Sequence, residues 1–109
     1  MKLAIVGSRK CPAIDLASYI ECMPDMIISG GAIGVDTLAR QYAEQNKITI
    51  IEFLPEYSKY GRKAPLLRNI QIVENCDSVI AFWDGKSHGT KFTIDYAKKL
   101  GKIFKIIKI

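Results

Sequence analysis

Short apolar runs alternate with helical patterns along the whole chain, and this alternation limits the fold more than any other feature. Strands are predicted over residues 2–6, 26–29, 48–54, 78–83 and 103–109. Parallel neighbours in a sheet need a crossover connection, so strands that alternate with helices predict a parallel sheet covered on both faces. If the chain winds outward from the first strand and returns for the last two, the result is a three-layer Rossmann-like α/β domain, with a five-stranded parallel sheet in the order 3-2-1-4-5.

Apolar spacing predicts four helices between these strands. The clearest helix carries Val35, Leu38, Ala39, Tyr42 and Ala43 at helical spacing. The other three are predicted from Pro12 through Ala13, Leu16, Ala17 and Ile20, from Leu66, Ile70 and Val73, and from Phe92, Tyr96, Ala97 and Leu100. Residues 55–61 and 84–89 are predicted as loops.

Length and composition are typical of one globular domain. The chain has 109 residues, of which 49% are hydrophobic, and we expect residues 1–109 to form a single domain. No apolar run approaches the roughly 20 residues of a membrane span, and the first run is too short for a signal peptide, so we expect a cytoplasmic protein with no membrane partner. The three cysteines have no C-x-x-C spacing, so neither a disulfide framework nor a metal site is predicted.

Three predicted loops have the chemistry of a phosphate site. In such sheets ligands bind at the carboxyl ends of the strands, where the strand order reverses, here between the first and fourth strands. The loops at 7–9, 29–36 and 84–90 lie at that edge, and the second and third carry glycines ahead of a helix N-terminus, which offers unpaired N–H donors to an anion. Arg9 could grip a phosphate, whereas Asp36 either complements the helix dipole or contacts a ribose hydroxyl.

The net charge of +5 has two explanations. Much of it comes from Lys98, Lys99, Lys102, Lys105 and Lys108. Positive charge favours a polyanionic partner, but lysines spaced along a last strand also protect an exposed sheet edge from pairing with other chains. We favour edge protection.

Familiar catalytic motifs are missing from the sequence. Neither G-x-G-x-x-G after the first strand nor a Walker loop is present, so no dinucleotide or other cofactor is predicted. His88 is the single histidine, and its neighbour Ser87 does not make a catalytic triad. The catalytic residues, if there are any, are unknown at this point.

Six ordered motifs together resemble the small YspA/YpsA-related branch of the SLOG superfamily, which also includes DprA and the LOG phosphoribohydrolases. They are Gly7-Ser8-Arg9, residues 29–36, Tyr60-Gly61, Arg68-Asn69, residues 81–85 and Ser87-His88-Gly89-Thr90. The resemblance implies a SLOG-like domain that binds a nucleotide or nucleotide derivative and self-associates, with the apolar faces of the third and fourth helices as candidate contacts. The ligand-binding residues that it implies are Gly7, Ser8, Arg9, Ser29, Gly30, Gly31, Gly34, Asp36, Arg68, Asn69, Ser87, Gly89 and Thr90. Without the resemblance, Arg68 and Asn69 would be assigned to a solvated helix face.

Three functions follow from the resemblance and from the positions at which this chain differs from the family. LOG enzymes carry a catalytic glutamate where this chain has Thr93, and a hydroxyl cannot take over that carboxylate's role. We therefore predict that the chain senses or sequesters a nucleotide without reacting with it. The first alternative is a LOG-like nucleotide N-glycosidase that takes its carboxylate from Asp36, Asp84 or Asp95. The second is DprA-like single-stranded DNA binding, predicted to be weak because only Tyr57 and Tyr60 offer rings for base stacking.

Overall fold

The computed structural model describes residues 1–12, 14–31 and 33–109 and contains one sheet of five parallel strands. The strands are β1 Lys2–Gly7, β2 Met26–Ser29, β3 Thr49–Glu52, β4 Ser78–Trp83 and β5 Ile103–Lys108. The helices are α1 Val35–Gln45, α2 Tyr57–Tyr60, α3 Ala64–Glu74 and α4 His88–Lys99. The strand order is β3-β2-β1-β4-β5, which confirms the predicted three-layer Rossmann-like topology.

The two faces of the central strand β1 belong to two separate cores. Leu3 and Ile5 pack with the apolar side of α1, whereas Ala4 and Val6 pack with α3 and α4. A strand that is buried on both faces must be apolar at successive positions, which is why β1 was recognisable in the sequence. The helix layers on the two faces leave the carboxyl ends of the strands as one rim of the domain.

The helix predicted after Pro12 is wrong for the described residues. Only a single 3-10 turn, Leu16–Ser18, forms there, and Ala13 lies outside the described residues. The Asp15 carboxylate accepts hydrogen bonds from the Ala17 N–H, at 3.2 Å, and from the Ser18 hydroxyl, at 3.0 Å. Such local bonds from an aspartate compete with a continuing helix. Leu16 is nevertheless buried against the sheet, so the segment still covers part of this face.

Residues 55–61 were predicted as a loop, but they contain the one-turn helix α2. A 3-10 turn, Gly61–Lys63, then leads directly into α3. The segment therefore continues without a gap into α3.

The predicted inner faces of α3 and α4 are also wrong in part. Val73 is fully buried as predicted, but Leu66 is 42% exposed. The inner side of α3 also includes Ala64 and Ile72, with Arg68 between them at one-turn spacing. On α4 the buried stripe is Thr90, Thr93, Ile94 and Ala97, whereas Phe92 and Tyr96 stack on each other and are half-buried, and Leu100 is exposed. In both helices polar residues occupy inward positions, which an apolar pattern cannot reveal.

Two of the five C-terminal lysines hold neighbouring elements. The Lys102 ammonium donates to the carbonyl oxygen of Val73, at 2.9 Å, where the last turn of α3 lacks intrahelical partners. Lys105 pairs with Glu21 at 3.1 Å. The sheet order places β5 at an edge, and these two lysines, one just before β5 and one within it, contact other elements there. No helix within the described part of the chain is long and apolar enough to cross a membrane.

Candidate functional site

A cavity of about 360 Å³ opens at the carboxyl ends of β1 and β4, where the strand order reverses. Its volume lies within the range of ligand pockets, roughly 300–1,000 Å³. Most of the predicted ligand-binding residues line it, namely Gly7, Ser8, Arg9, Gly30, Asp36, Arg68, Asn69, Ser87, Gly89 and Thr90. Residues from four separate loops and helices therefore converge on one site.

The other three predicted residues lie outside the cavity wall. Ser29 is fully buried, and its hydroxyl accepts a hydrogen bond from the Gly31 N–H at 3.5 Å. A side chain at Gly31 would meet Leu54 instead of the cavity, and one at Gly34 would meet the backbone of Ser8. These residues shape the loop that presents Gly30 and Asp36.

The cavity also contains residues that the sequence did not single out as ligand contacts. They are Val6, Lys10, Ile33, Pro65, Ile72, Asp84 and Thr93. Lys10 could have been found from its place directly after Arg9 in the first loop. Asp84 could have been found as the first residue after β4, since the carboxyl ends of β1 and β4 lie side by side where the strand order reverses.

Arg68 reaches the cavity from the inner side of α3. Its Nη1 donates to the Gly30 carbonyl oxygen at 2.9 Å, and its Nε donates to Asn69 Oδ1 at 2.8 Å. Burial is the main cause that lowers the pKa of Arg68; Asp36 acts in the opposite direction, and Arg9 lowers the pKa further. An arginine side chain keeps its charge in proteins. The Arg68 guanidinium is therefore a cation that is attracted to Asp36 and repelled by Arg9.

Gly30 lies against two of the charged side chains of the cavity, Arg68 and Asp36. A Cβ at this position would stand 2.5 Å from Arg68 Nη1 and 2.9 Å from Asp36 Oδ2. Glycine at this position therefore leaves room for the Arg68 guanidinium and the Asp36 carboxylate.

Replacing Gly30 with valine should displace the Arg68 guanidinium and weaken binding of an anionic ligand about tenfold or more, the effect of losing one charge-assisted hydrogen bond. Gly30→Val should lower the free energy of unfolding less than a substitution that clashes with backbone atoms, because the end of the Arg68 side chain can move. Calorimetric titration of both proteins measures the affinity. If the effects of Gly30→Val and Arg68→Ala simply added, the two residues would not act together.

Ser8 and Asp84 join the ends of β1 and β4 beneath the cavity. The Ser8 N–H donates to the Phe82 carbonyl at 3.0 Å, and the Ser8 hydroxyl accepts from the Asp84 N–H at 3.2 Å. The backbone N–H groups of Lys86 and Ser87, each 2.8 Å from Asp84 Oδ1, hold the pKa of that carboxyl below its usual range. Asp84 is therefore an anion at neutral pH.

The start of α4 forms the opposite wall. Ser87 caps the helix, its hydroxyl accepting from the Thr90 N–H at 3.3 Å, and Gly89 lies in the first turn. The first N–H groups of a helix have no partner within it and carry partial positive charge, so this wall suits an anion. The Thr93 hydroxyl donates to the Gly89 carbonyl at 2.9 Å, a bond that keeps it against its own helix.

The charges of the cavity are mixed. Arg9, Lys10 and Arg68 bring positive charge, and Asp36 and Asp84 bring negative charge. Asp95, the third carboxylate considered for catalysis, instead pairs with Lys91 at 2.8 Å on the exposed face of α4. Among the described residues, no group of three or more His, Cys, Asp or Glu side chains could hold a metal ion. The arrangement suits an organic ligand with both an anionic group and hydroxyls.

Comparison with known proteins gives one family. Residues 1–60 match the family model of DNA recombination-mediator protein A, whereas no significant match is found among curated proteins or solved structures. The matched part contains β1, β2, β3 and α1, with the loops that carry Arg9 and Gly30 and with Asp36 in the first turn of α1. Because the match covers more than half of the chain, the protein belongs to the DNA recombination-mediator protein A family.

Proposed function

We propose that the cavity binds a nucleotide, or a nucleotide derivative, through its phosphate and sugar and does not react with it. The observation that carries this proposal is the convergence of three cationic side chains, a helix N-terminus and a nearly buried carboxylate in one cavity of about 360 Å³.

Arg9 and Arg68, which both line the cavity, would hold the phosphate. The two cations are close enough for Arg9 to lower the pKa of Arg68, which means that they repel each other. A phosphate between them would offset this repulsion and could accept bidentate hydrogen bonds from either guanidinium. Gly89 and Ser87 bring the start of α4 to the same cavity, where backbone N–H groups add further donors.

Asp36 would hold the sugar. This residue lies in the first turn of α1, is only 8% exposed and lines the cavity beside Gly30. A carboxylate repels phosphate but accepts hydrogen bonds from hydroxyl groups, so it suits the ribose of the same ligand.

Trp83 gives a direct readout of this proposal. It is the only tryptophan, and its indole N–H donates to the Ser87 carbonyl at 3.0 Å, so it reports on the cavity wall. Titration with nucleoside monophosphates should change its emission and saturate with one ligand per chain. The matching nucleosides, which lack the phosphate, should bind at least about tenfold more weakly. Equal affinity of nucleoside and nucleotide would contradict the phosphate assignment.

We expect no release of free base from bound nucleotides. Thr93 replaces the LOG glutamate and its hydroxyl is bonded to Gly89, so it cannot act as an acid or base. Chromatography after prolonged incubation should show the same base release as a heat-inactivated control. Base release that Asp36→Asn abolishes, but Asp95→Asn does not, would establish the N-glycosidase alternative.

Single-stranded DNA is the second candidate ligand, and the family match is the observation that favours it. Arg9 and Lys10 are exposed and positively charged at the cavity, so they could contact the phosphates of a strand as well as those of a free nucleotide. The SLOG branch, the cytoplasmic location and self-association through α3 and α4 remain predictions.

A further inference from the structure

A second cavity, of about 380 Å³, lies between the 3-10 turn at Leu16–Ser18 and helix α1. We call it the α1 cavity. It shares no lining residue with the cavity at the carboxyl ends of the strands, and its volume also lies within the range of ligand pockets. Leu16 and Leu38 give it apolar walls, and the polar side chains around it are Asp15, Gln41, Gln45 and Asn46. The α1 cavity is therefore a separate place at which a ligand could bind.

Tyr42 brings to the α1 cavity a hydroxyl group that the fold itself does not use. Within the described residues Tyr42 is the one buried tyrosine, 8% exposed, and its ring packs in the same core as Leu16 and Ala39. Buried tyrosine hydroxyls usually have a hydrogen-bond partner, but no described residue provides one for Tyr42. Every fully buried side-chain polar atom in the described part of the chain does have a partner, so this hydroxyl must reach open space. Tyr42 lines the α1 cavity, which is that space.

The charges around the α1 cavity disfavour an anion. Asp15 is the one charged side chain among its described lining residues, which include neither lysine nor arginine. Helix α1 ends at Gln45, and the last carbonyl groups of a helix lack intrahelical partners and carry partial negative charge. A phosphate or a carboxylate would therefore be repelled. The cavity suits a neutral ligand that donates N–H groups and also accepts hydrogen bonds.

We propose that the α1 cavity binds a neutral nucleobase with an exocyclic amino group, either free or as its nucleoside. Side-chain amides of glutamine and asparagine pair with the adjacent donor and acceptor of such a base, and a carboxylate accepts from its amino group. Gln41 and Gln45 are one turn apart and present two amides on the same side of α1, across from Asp15 in the 3-10 segment. The Tyr42 hydroxyl adds a donor for a ring nitrogen. Since the two cavities share no residue, this inference does not rest on the proposed function.

The test is calorimetric titration with adenosine and with inosine, which carries an oxygen in place of the amino group. Adenosine should bind at least about fivefold more tightly, because inosine leaves an acceptor of the cavity unpaired. Tyr42→Phe should weaken adenosine binding about two- to tenfold, the effect of one neutral hydrogen bond. The urea midpoint of unfolding should stay the same in this variant, since the hydroxyl has no partner among the described residues. Gln45→Ala, at an exposed position, should weaken adenosine binding to a similar extent without disturbing the core.

Tyr57→Phe is the matched control, because it removes the hydroxyl of a tyrosine that is 57% exposed and does not line the α1 cavity. It should leave adenosine affinity unchanged, and so should Arg68→Ala, which alters the other cavity. Three results would overturn the assignment and leave the proposed function untouched: no adenosine binding at millimolar concentration, equal affinity for adenosine and inosine, or adenosine binding that Tyr42→Phe and Gln45→Ala do not weaken. Adenosine binding that is lost only in Arg68→Ala would place the nucleoside at the carboxyl ends of the strands and would also overturn it.

Discussion

Replacing Gly34 with alanine should lower the free energy of unfolding by about 4 kcal/mol. Gly34 has a φ of 77° and a ψ of −126°, a conformation that costs a residue with a side chain roughly 2 kcal/mol. Its Cβ would also stand 2.7 Å from the Ser8 carbonyl oxygen and 2.8 Å from the Arg9 carbonyl carbon. These are backbone atoms that cannot rotate away, so overpacking adds about 2 kcal/mol more. Urea unfolding measures the total.

Gly61→Ala is the matched control for this prediction. Gly61 has nearly the same backbone angles, φ 58° and ψ −130°, but no atom lies within 4 Å of the position that its Cβ would take. It should therefore show only the conformational cost, about 2 kcal/mol. Equal losses in the two variants would mean that the approach of Gly34 to the first loop contributes nothing. A larger loss at Gly34 would show that the backbone of the loop of Arg9 leaves no room for a side chain at this position.

The sheet and the place of the cavity were predictable because both follow from the pattern of apolar strands. Buried parallel strands must be apolar at successive positions, so β1, β2 and β4 could be read directly, and the strand order then fixed the edge at which Arg9 and Thr90 meet. Glycines marked the loop between β2 and α1. The pattern did not show that Gly30 faces the cavity while Gly31 faces Leu54, because their orientation depends on contacts between distant segments.

The errors have physical reasons that a pattern of apolar residues does not contain. In α3 the inward stripe passes through Arg68, and the apolar residue Leu66 points to solvent, so the pattern placed the arginine on the wrong side. A functional cavity requires polar groups at inward positions, and the apolar rule fails at such positions. The helix predicted after Pro12 failed for a different reason, because the Asp15 side chain takes up the local hydrogen-bond donors.

Arg68→Ala should weaken nucleotide binding by about 10- to 100-fold, the range expected for a charge-assisted hydrogen bond in a partly buried site. The variant also loses the bonds to the Gly30 carbonyl and to Asn69, so the loop that carries Gly30 loses a support. Arg68→Lys should recover part of the affinity, because an ammonium restores the positive charge. The recovery should be incomplete, because an ammonium lacks the planar set of donors with which a guanidinium can bind two protein acceptors and a phosphate together. Calorimetry with a nucleoside monophosphate measures each variant.

Arg40→Ala separates the local effect of Arg68 from the loss of net charge. Arg40 is also a partly exposed arginine, but it pairs with Glu52 at 2.8 Å and does not line the cavity. Each variant lowers the net charge by one, so attraction of an anion from a distance falls equally in both. Nucleotide affinity should therefore be nearly unchanged in Arg40→Ala. If both variants lost affinity alike, the contribution of Arg68 would be general electrostatic attraction, and a phosphate held in the cavity by its guanidinium would be refuted.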